Sequence, residues 1–177
     1  MNRARGVKIA KHLFYLSVLL LLYVVQTTPR LFAIGGIKPI WVIPAAVVIA
    51  MWEGEFVGGL YGALAGLLCD TGSYALFGFN GFLICAACIA VGLLTIYMVR
   101  GNLLGCLAFV LAITLVRGSV DFLFAFGIWA SKPGYENVWR IFLFQAIPAA
   151  LYTTAVAPLV YYPLRAVDRS ARKMVEA

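Results

Sequence analysis

The stretch EGEFVGGLYGALAGLLCD, residues 53–70, decides how the chain folds. Its small residues recur every four positions and so share one face of a helix. In lipid, small residues at this spacing let a neighbouring backbone approach closely, and such packing replaces most of the missing hydrophobic drive. The spacing leaves open whether the neighbour belongs to this chain or to a partner protein. The members of this face are Gly54, Gly58, Gly62 and Gly66, followed by Asp70.

The composition of the whole chain agrees with a helix buried in lipid. Of its 177 residues, 64% are hydrophobic and 12% are charged, whereas soluble domains have about 25% charged residues. A soluble domain of this size has too little interior to hide so much apolar surface. We therefore expect an all-α integral membrane protein that forms a single polytopic domain over residues 1–177.

Apolar runs predict a bundle of about six transmembrane helices, because one span needs roughly 20 residues. The second and third runs are short, and runs of that length are often re-entrant or tilted. A four-span protein with one re-entrant pair therefore remains an alternative to six crossings. The predicted helices cover residues 9–26, 40–52, 56–69, 81–99, 103–126 and 141–162.

The cations place both termini in the cytoplasm, because Lys and Arg accumulate on that side of a membrane. Such an arrangement requires an even number of spans. The net charge of +7 does not indicate a nucleic-acid partner, since most of the cations lie in two terminal tails, about 1–8 and 164–177, or directly beside them. These cations are Arg3, Arg5, Lys8, Lys11, Arg165, Arg169, Arg172 and Lys173.

The predicted fifth span contains Arg117 and Asp121, which are four residues apart and therefore share a helix face. Charges at this depth cost several kcal/mol unless they are paired or wetted, so they face the interior of the bundle. The pair fits either a structural role or a contact to a substrate or ion. In the six-span topology Asp70 lies at a similar depth, which predicts an intramembrane polar cluster of Asp70, Arg117 and Asp121. Glu53 would lie near the opposite membrane surface.

Catalytic constellations are missing from the sequence, and we predict no catalytic, metal or cofactor site. His12 is the only histidine, which excludes a His-Glu-x-x-His protease. No serine lies in a G-x-S-x-G elbow. Cys85 and Cys88 form a C-x-x-C inside an apolar run, where buried thiols are a better interpretation than redox or zinc chemistry. These observations predict a protein that is not an enzyme.

Several short motifs occur in a recognisable order along almost the whole chain. The first span ends in Gln26, a basic-Pro-x-aromatic sequence with Pro39 opens the second, the spaced glycines after Glu53 end at Asp70, and Val-Asp-aromatic surrounds Asp121. In this order and spacing the chain resembles the bacterial rod shape-determining protein MreD family. It departs from the family in its acidic Glu53 and Glu55 and in Arg117, so the resemblance assigns those residues no role.

The resemblance implies a non-enzymatic subunit of the bacterial inner membrane that acts in the cell-wall elongation machinery. Its implied direct partner is a bitopic MreC-like protein. Through that protein it would reach MreB, RodA and a class B penicillin-binding protein, and so support peptidoglycan synthesis and cell shape. Membrane lipids are the other expected partner.

A second function remains open, because small hydrophobic six-helix proteins also include the vitamin-binding S components of energy-coupling-factor transporters. Such a protein would need polar side chains that converge on a ligand near the outer loops. In this chain the possible set is Asp70, Tyr74, Asn80, Tyr135 and Asn137.

Overall fold

The computed structural model describes residues 2–28, 32–33, 35–71, 77–97, 101–129 and 142–176. These residues are almost entirely helical, which confirms the all-α class. A π-helical turn, Phe142–Ala146, leads directly into the last helix. The helices are α1 (Asn2–Thr27), α2 (Val42–Glu53), α3 (Glu55–Asp70), α4 (Phe79–Tyr97), α5 (Leu103–Trp129) and α6 (Ile147–Glu176).

Four of the helical segments are long and apolar enough to cross a membrane, which is compatible with an all-α membrane protein. They are Arg5–Thr27, Phe79–Tyr97, Leu103–Leu123 and Leu143–Met174. By contrast, α2 has 12 residues and α3 has 16, so their lengths of about 18 and 24 Å fall short of a hydrocarbon core of about 30 Å. Six complete crossings therefore remain a prediction. The basic terminal segments predicted as tails are helical and continue α1 and α6.

A single glycine separates α2 from α3 and reverses the chain. Gly54 has φ +85°, a conformation that glycine adopts readily because it has no Cβ atom. A Cβ atom added to Gly58 would lie 2.6 Å from the Cα atom of Ala50, eight residues earlier. The two helices therefore pack against each other as a hairpin that turns at Gly54.

The short helix α2 forms the centre of the bundle. Every residue from Val42 to Met51 is buried, as expected for a helix that is hydrophobic on all sides. The surrounding helices instead expose large apolar side chains, for example Leu21 at 62%, Phe56 at 88% and Leu104 at 80%. Such a surface suits lipid or other membrane helices rather than water.

Contacts along the helices define two ends of the bundle. Lys11 near the start of α1 meets Asp168 near the end of α6, and this end, where α2 also stops, is called the terminal end. At the opposite end, called the distal end, Gln26 contacts the start of α2. Helices α3 and α4 run antiparallel, because Gly66 faces the beginning of α4 whereas Gly92 faces the beginning of α3.

Candidate functional site

The glycine face of α3 packs inside this chain. A Cβ atom at Gly62 would lie 2.8 Å from the carbonyl oxygen of Ile84, and one at Gly66 would lie 2.5 Å from the Cα atom of Gly81, both on α4. Gly58 packs against α2 in the same close manner. Gly54 has no neighbour within 4 Å of an added Cβ atom and forms the turn instead. This face, for which the sequence leaves the neighbour open, is therefore divided between a turn and two internal contacts.

Two further glycines join the same contact without belonging to the four-residue repeat. A Cβ atom at Gly92 would lie 2.6 Å from the backbone nitrogen of Glu55, and one at Gly59 would meet the side chain of Ile89. Gly92 lies on α4, so only knowledge of the antiparallel pairing would have placed it opposite the start of α3. The close approach of α3 and α4 thus uses glycines from both helices.

Asp70 lies at the distal end and accepts hydrogen bonds from the first residues of α4. Its carboxylate accepts the backbone N–H groups of Gly78 at 2.9 Å and Gly81 at 3.2 Å, and the side-chain amide of Asn80 at 2.8 Å. Only 3% of Asp70 is exposed. The first N–H groups of a helix have no partner within it, and a negative charge there is favourable. Asp70 therefore caps α4.

Asn80 connects this cap to Arg117 on α5. The Arg117 guanidinium donates from Nε to the Asn80 side-chain oxygen at 2.8 Å. Its Nη2 lies 3.8 Å from Oδ2 of Asp121. The structure thus brings the three predicted residues Asp70, Arg117 and Asp121 into one region and adds Asn80 as the bridge. The sequence had indicated Asn80 only as a possible ligand contact.

A second polar network lies at the terminal end and joins three helices. The Lys11 ammonium forms ion pairs with Glu53 and with Asp168, the latter at 2.6 Å. Arg172 contacts the other Asp168 oxygen at 2.8 Å and donates to the carbonyl oxygen of Trp52 at 3.2 Å. The side chains of Lys11, Glu53 and Asp168 are only 11%, 16% and 6% exposed. Cations at this position also stabilise the C-terminal end of α2, because the last carbonyl groups of a helix lack partners within it.

This network was not predicted from the sequence. Lys11 counted only as one of the cations that set the topology, and Asp168 was not singled out. One local signal exists, because Asp168 and Arg172 are four residues apart on α6 and share a helix face. The contact of Asp168 with α1 depends on the tertiary fold.

Aromatic side chains surround the terminal network. The Lys11 ammonium lies 5.6 Å from the centre of the Tyr15 ring, and Tyr15 is fully buried. The Tyr61 hydroxyl donates to the backbone oxygen of His12 at 3.0 Å, and the two rings are stacked. Lys11 is thereby enclosed by two carboxylates and an aromatic face, an arrangement that suits a structural cation.

The start of α2 is held by side chains from the first and last helices. Gln26 Oε1 accepts the backbone N–H of Val42 at 3.4 Å, and Thr153 Oγ1 accepts that of Ile40 at 3.0 Å. Pro39 is buried beside them. The resemblance residues Gln26, Pro39 and Glu53 therefore lie at the two ends of α2.

The described polar groups mostly bind one another. Within the described ranges, no group of three or more His, Cys, Asp or Glu side chains is placed to hold a metal ion. The four cysteines are free thiols, and Cys88 packs against Gly62. Tyr74, Tyr135 and Asn137 of the possible ligand set lie outside the described residues.

Comparison with known proteins adds no family assignment. No family model matches the chain, and neither a curated protein nor a solved structure is significantly similar to it.

Proposed function

We propose that this chain is a non-enzymatic, multi-pass subunit of the bacterial inner membrane, similar to the MreD family, that supports cell-wall elongation with a bitopic MreC-like partner. One observation carries the proposal. Several residues on which the resemblance depends hold the same unit, the α2–α3 hairpin with its neighbour α4, whereas Asp121 lies on α5. Gln26 accepts a hydrogen bond from the start of α2, and Glu53 is the last residue of α2. Asp70 caps α4. A motif set that builds one internal unit suits a scaffold better than a reaction centre.

The polar groups support a scaffold role over a transporter subunit. Asp70 and Asn80, two members of the possible vitamin-binding set, bond to each other and to α4 or Arg117. The groove between α4 and α5 has about 340 Å³ and is lined only by apolar side chains such as Ala87, Phe109 and Ala112. A vitamin site would want several converging polar groups.

The outward side of α3 is the surface that we assign to the partner helix. The glycines of α3 are occupied by α2 and α4, whereas Phe56 and Leu60 on the same helix are 88% and 62% exposed. Membrane helices associate through shape and close packing rather than through hydrophobicity. The partner helix would therefore contact these large side chains and not the glycine face.

Depletion of the protein in the bacterium that encodes it tests the proposal. We expect rod-shaped cells to widen and become round as the protein disappears, and expression of the intact chain to restore the rods. Unchanged width and length after complete depletion would overturn it. A thermal-shift screen of the purified chain with vitamins tests the transporter alternative, and a large shift with one vitamin would favour that alternative.

A further inference from the structure

Helices α1 and α6 leave a groove between them at the terminal end. The groove has about 310 Å³ and is lined by Val7, Ala10 and Phe14 on one side and by Ala166, Ala171 and Met174 on the other. Its lining is mostly apolar and includes several small side chains, with Lys11 and Ser170 as its polar members. Met174 is 60% exposed and Phe14 is 40% exposed, so the groove opens to the surroundings of the bundle.

The groove is lined by the first residues of the candidate membrane span Arg5–Thr27. From Thr27 at the end of α1 back to Val7 there are twenty residues, or about 30 Å of helix, which equals the thickness of a hydrocarbon core. Phe14 therefore lies within the leaflet next to the termini, and Val7 lies at its surface. This places the Phe14 part of the groove beside acyl chains and its Val7 part beside the headgroups.

Exposed cations adjoin the Val7 part of the groove in the sequence. Lys11, which lines the groove, is already paired with Glu53 and Asp168. Lys8 and Lys173 are exposed and adjoin the lining residues Val7 and Met174 in the sequence. Neither forms an ion pair in the described part of the chain. A cation close to an anionic membrane surface contributes about 1 kcal/mol of attraction.

We propose that the α1–α6 groove is a binding site for an anionic phospholipid of the leaflet next to the termini. An acyl chain lies along the apolar walls from Phe14 toward Val7, and Lys8 and Lys173 bind the headgroup phosphate. We choose this ligand because an apolar groove with exposed cations beside it is complementary to a lipid that has an apolar chain and a negatively charged headgroup. The site does not depend on the proposed cell-wall function.

Lipid-dependent thermal stability tests the site with the full chain in detergent. Added phosphatidylglycerol should raise the Tm by about 5 °C near saturation, and phosphatidylcholine with the same acyl chains should raise it much less. The double variant Lys8→Gln/Lys173→Gln should lose most of the difference between the two lipids. Lys38→Gln is the matched control, since Lys38 is exposed before α2 at the distal end, and it should retain the difference.

Two further measurements distinguish a defined binding site from general electrostatic attraction. Ala171→Trp fills the groove without changing charge, so it should also lose the difference between the lipids, whereas inorganic phosphate should not stabilise any form. Native mass spectrometry should show that the parent chain retains phosphatidylglycerol and that Lys8→Gln/Lys173→Gln loses it. This comparison holds even if Ala171→Trp fails to fold. Equal stabilisation by both lipids, loss in Lys38→Gln, or lipid retained by the double variant would overturn the proposal.

Discussion

Lys11 and Asp168 are 157 residues apart in the chain, yet their side chains form an ion pair with 2.6 Å between Nζ and Oδ1. The pair joins the first helix to the last. Because Lys11 also binds Glu53 at the end of α2, it connects the central helix to both terminal helices. We expect this terminal network to be a principal determinant of stability.

Replacement of Lys11 by Met should strongly destabilise the protein. The change leaves Glu53 without its cation and leaves Asp168 with Arg172 alone, in positions that are 16% and 6% exposed. Removal of one partner from a buried pair costs about 3 kcal/mol or more. Unfolding in mixed micelles, followed by circular dichroism, measures the loss of free energy of unfolding.

The control for this experiment is Lys38→Met, which removes an exposed cation without an ion pair in the described residues and should change the free energy by less than about 0.5 kcal/mol. In the double variant Lys11→Met/Glu53→Gln, part of the loss should be recovered, because the carboxylate that Lys11→Met leaves without a cation disappears. Equal losses of the free energy of unfolding in Lys11→Met and Lys38→Met would show that the network does not stabilise the protein.

Gly62→Ala should destabilise the α3–α4 contact. The new methyl group would lie 2.8 Å from a backbone oxygen of α4, which cannot turn aside as a side chain can. Overpacking of this kind costs about 1–3 kcal/mol. Gly6→Ala is the control, because nothing lies within 4 Å of the added atom. A tolerated Gly62→Leu substitution would contradict the internal packing of this face.

Asp70→Asn should reduce stability more than Asp121→Asn does. Asp70 accepts several N–H groups at the start of α4 and is 3% exposed, whereas the Asp121 side chain is 39% exposed and 3.8 Å from Arg117. Hydrogen bonds to a buried charge contribute about 1.5–3 kcal/mol, and an exposed ion pair contributes less than about 1 kcal/mol. Thermal unfolding of both variants in one detergent gives the ranking, and the reverse order would refute the capping role.

Gln26→Met should loosen the start of α2. The substitution keeps the length of the side chain but removes the oxygen that accepts the Val42 N–H, with an expected loss of about 1 kcal/mol. Thr27→Val is the matched control, since the Thr27 hydroxyl bonds only to backbone oxygens of its own helix. Hydrogen exchange of the backbone amides at the first residues of α2 should become faster in Gln26→Met and should stay unchanged in Thr27→Val. Unaltered exchange there would mean that Gln26 does not hold α2.

The features that can be predicted from the sequence are those that depend on the spacing of residues within one helix. The spacing of Gly58, Gly62 and Gly66 indicates close packing wherever the face lies, and the four-residue step from Arg117 to Asp121 places them on one side of α5. The helix bounds also agree within a few residues except at the chain ends. There the charge pattern predicts tails, although α1 and α6 continue through these residues.

Features that depend on which helices meet could not be predicted. Nothing local marks Lys11 and Asp168 as partners, and Asn80 becomes a bridge only because α4 begins beside α5. The internal position of the glycine face likewise follows from the reversal at Gly54. A repeat of small residues specifies that a backbone comes close, but it does not specify which backbone.

The outward face of α3 provides a test of the proposed partner surface. Phe56→Ala/Leu60→Ala should reduce recovery of an MreC-like partner several-fold while the chain still folds, because both side chains are exposed. Leu104→Ala, an equally apolar change at an 80% exposed position of α5, should leave recovery unchanged. Equal recovery with all three chains would remove α3 as the interface.

Affinity capture of the tagged protein from gently solubilised membranes of the organism that encodes it tests the central claim most directly. The account predicts that a bitopic MreC-like protein is recovered in roughly equal amount with the folded chain. Recovery of the folded chain without that protein, or together with a pair of transport ATPases, would contradict the account.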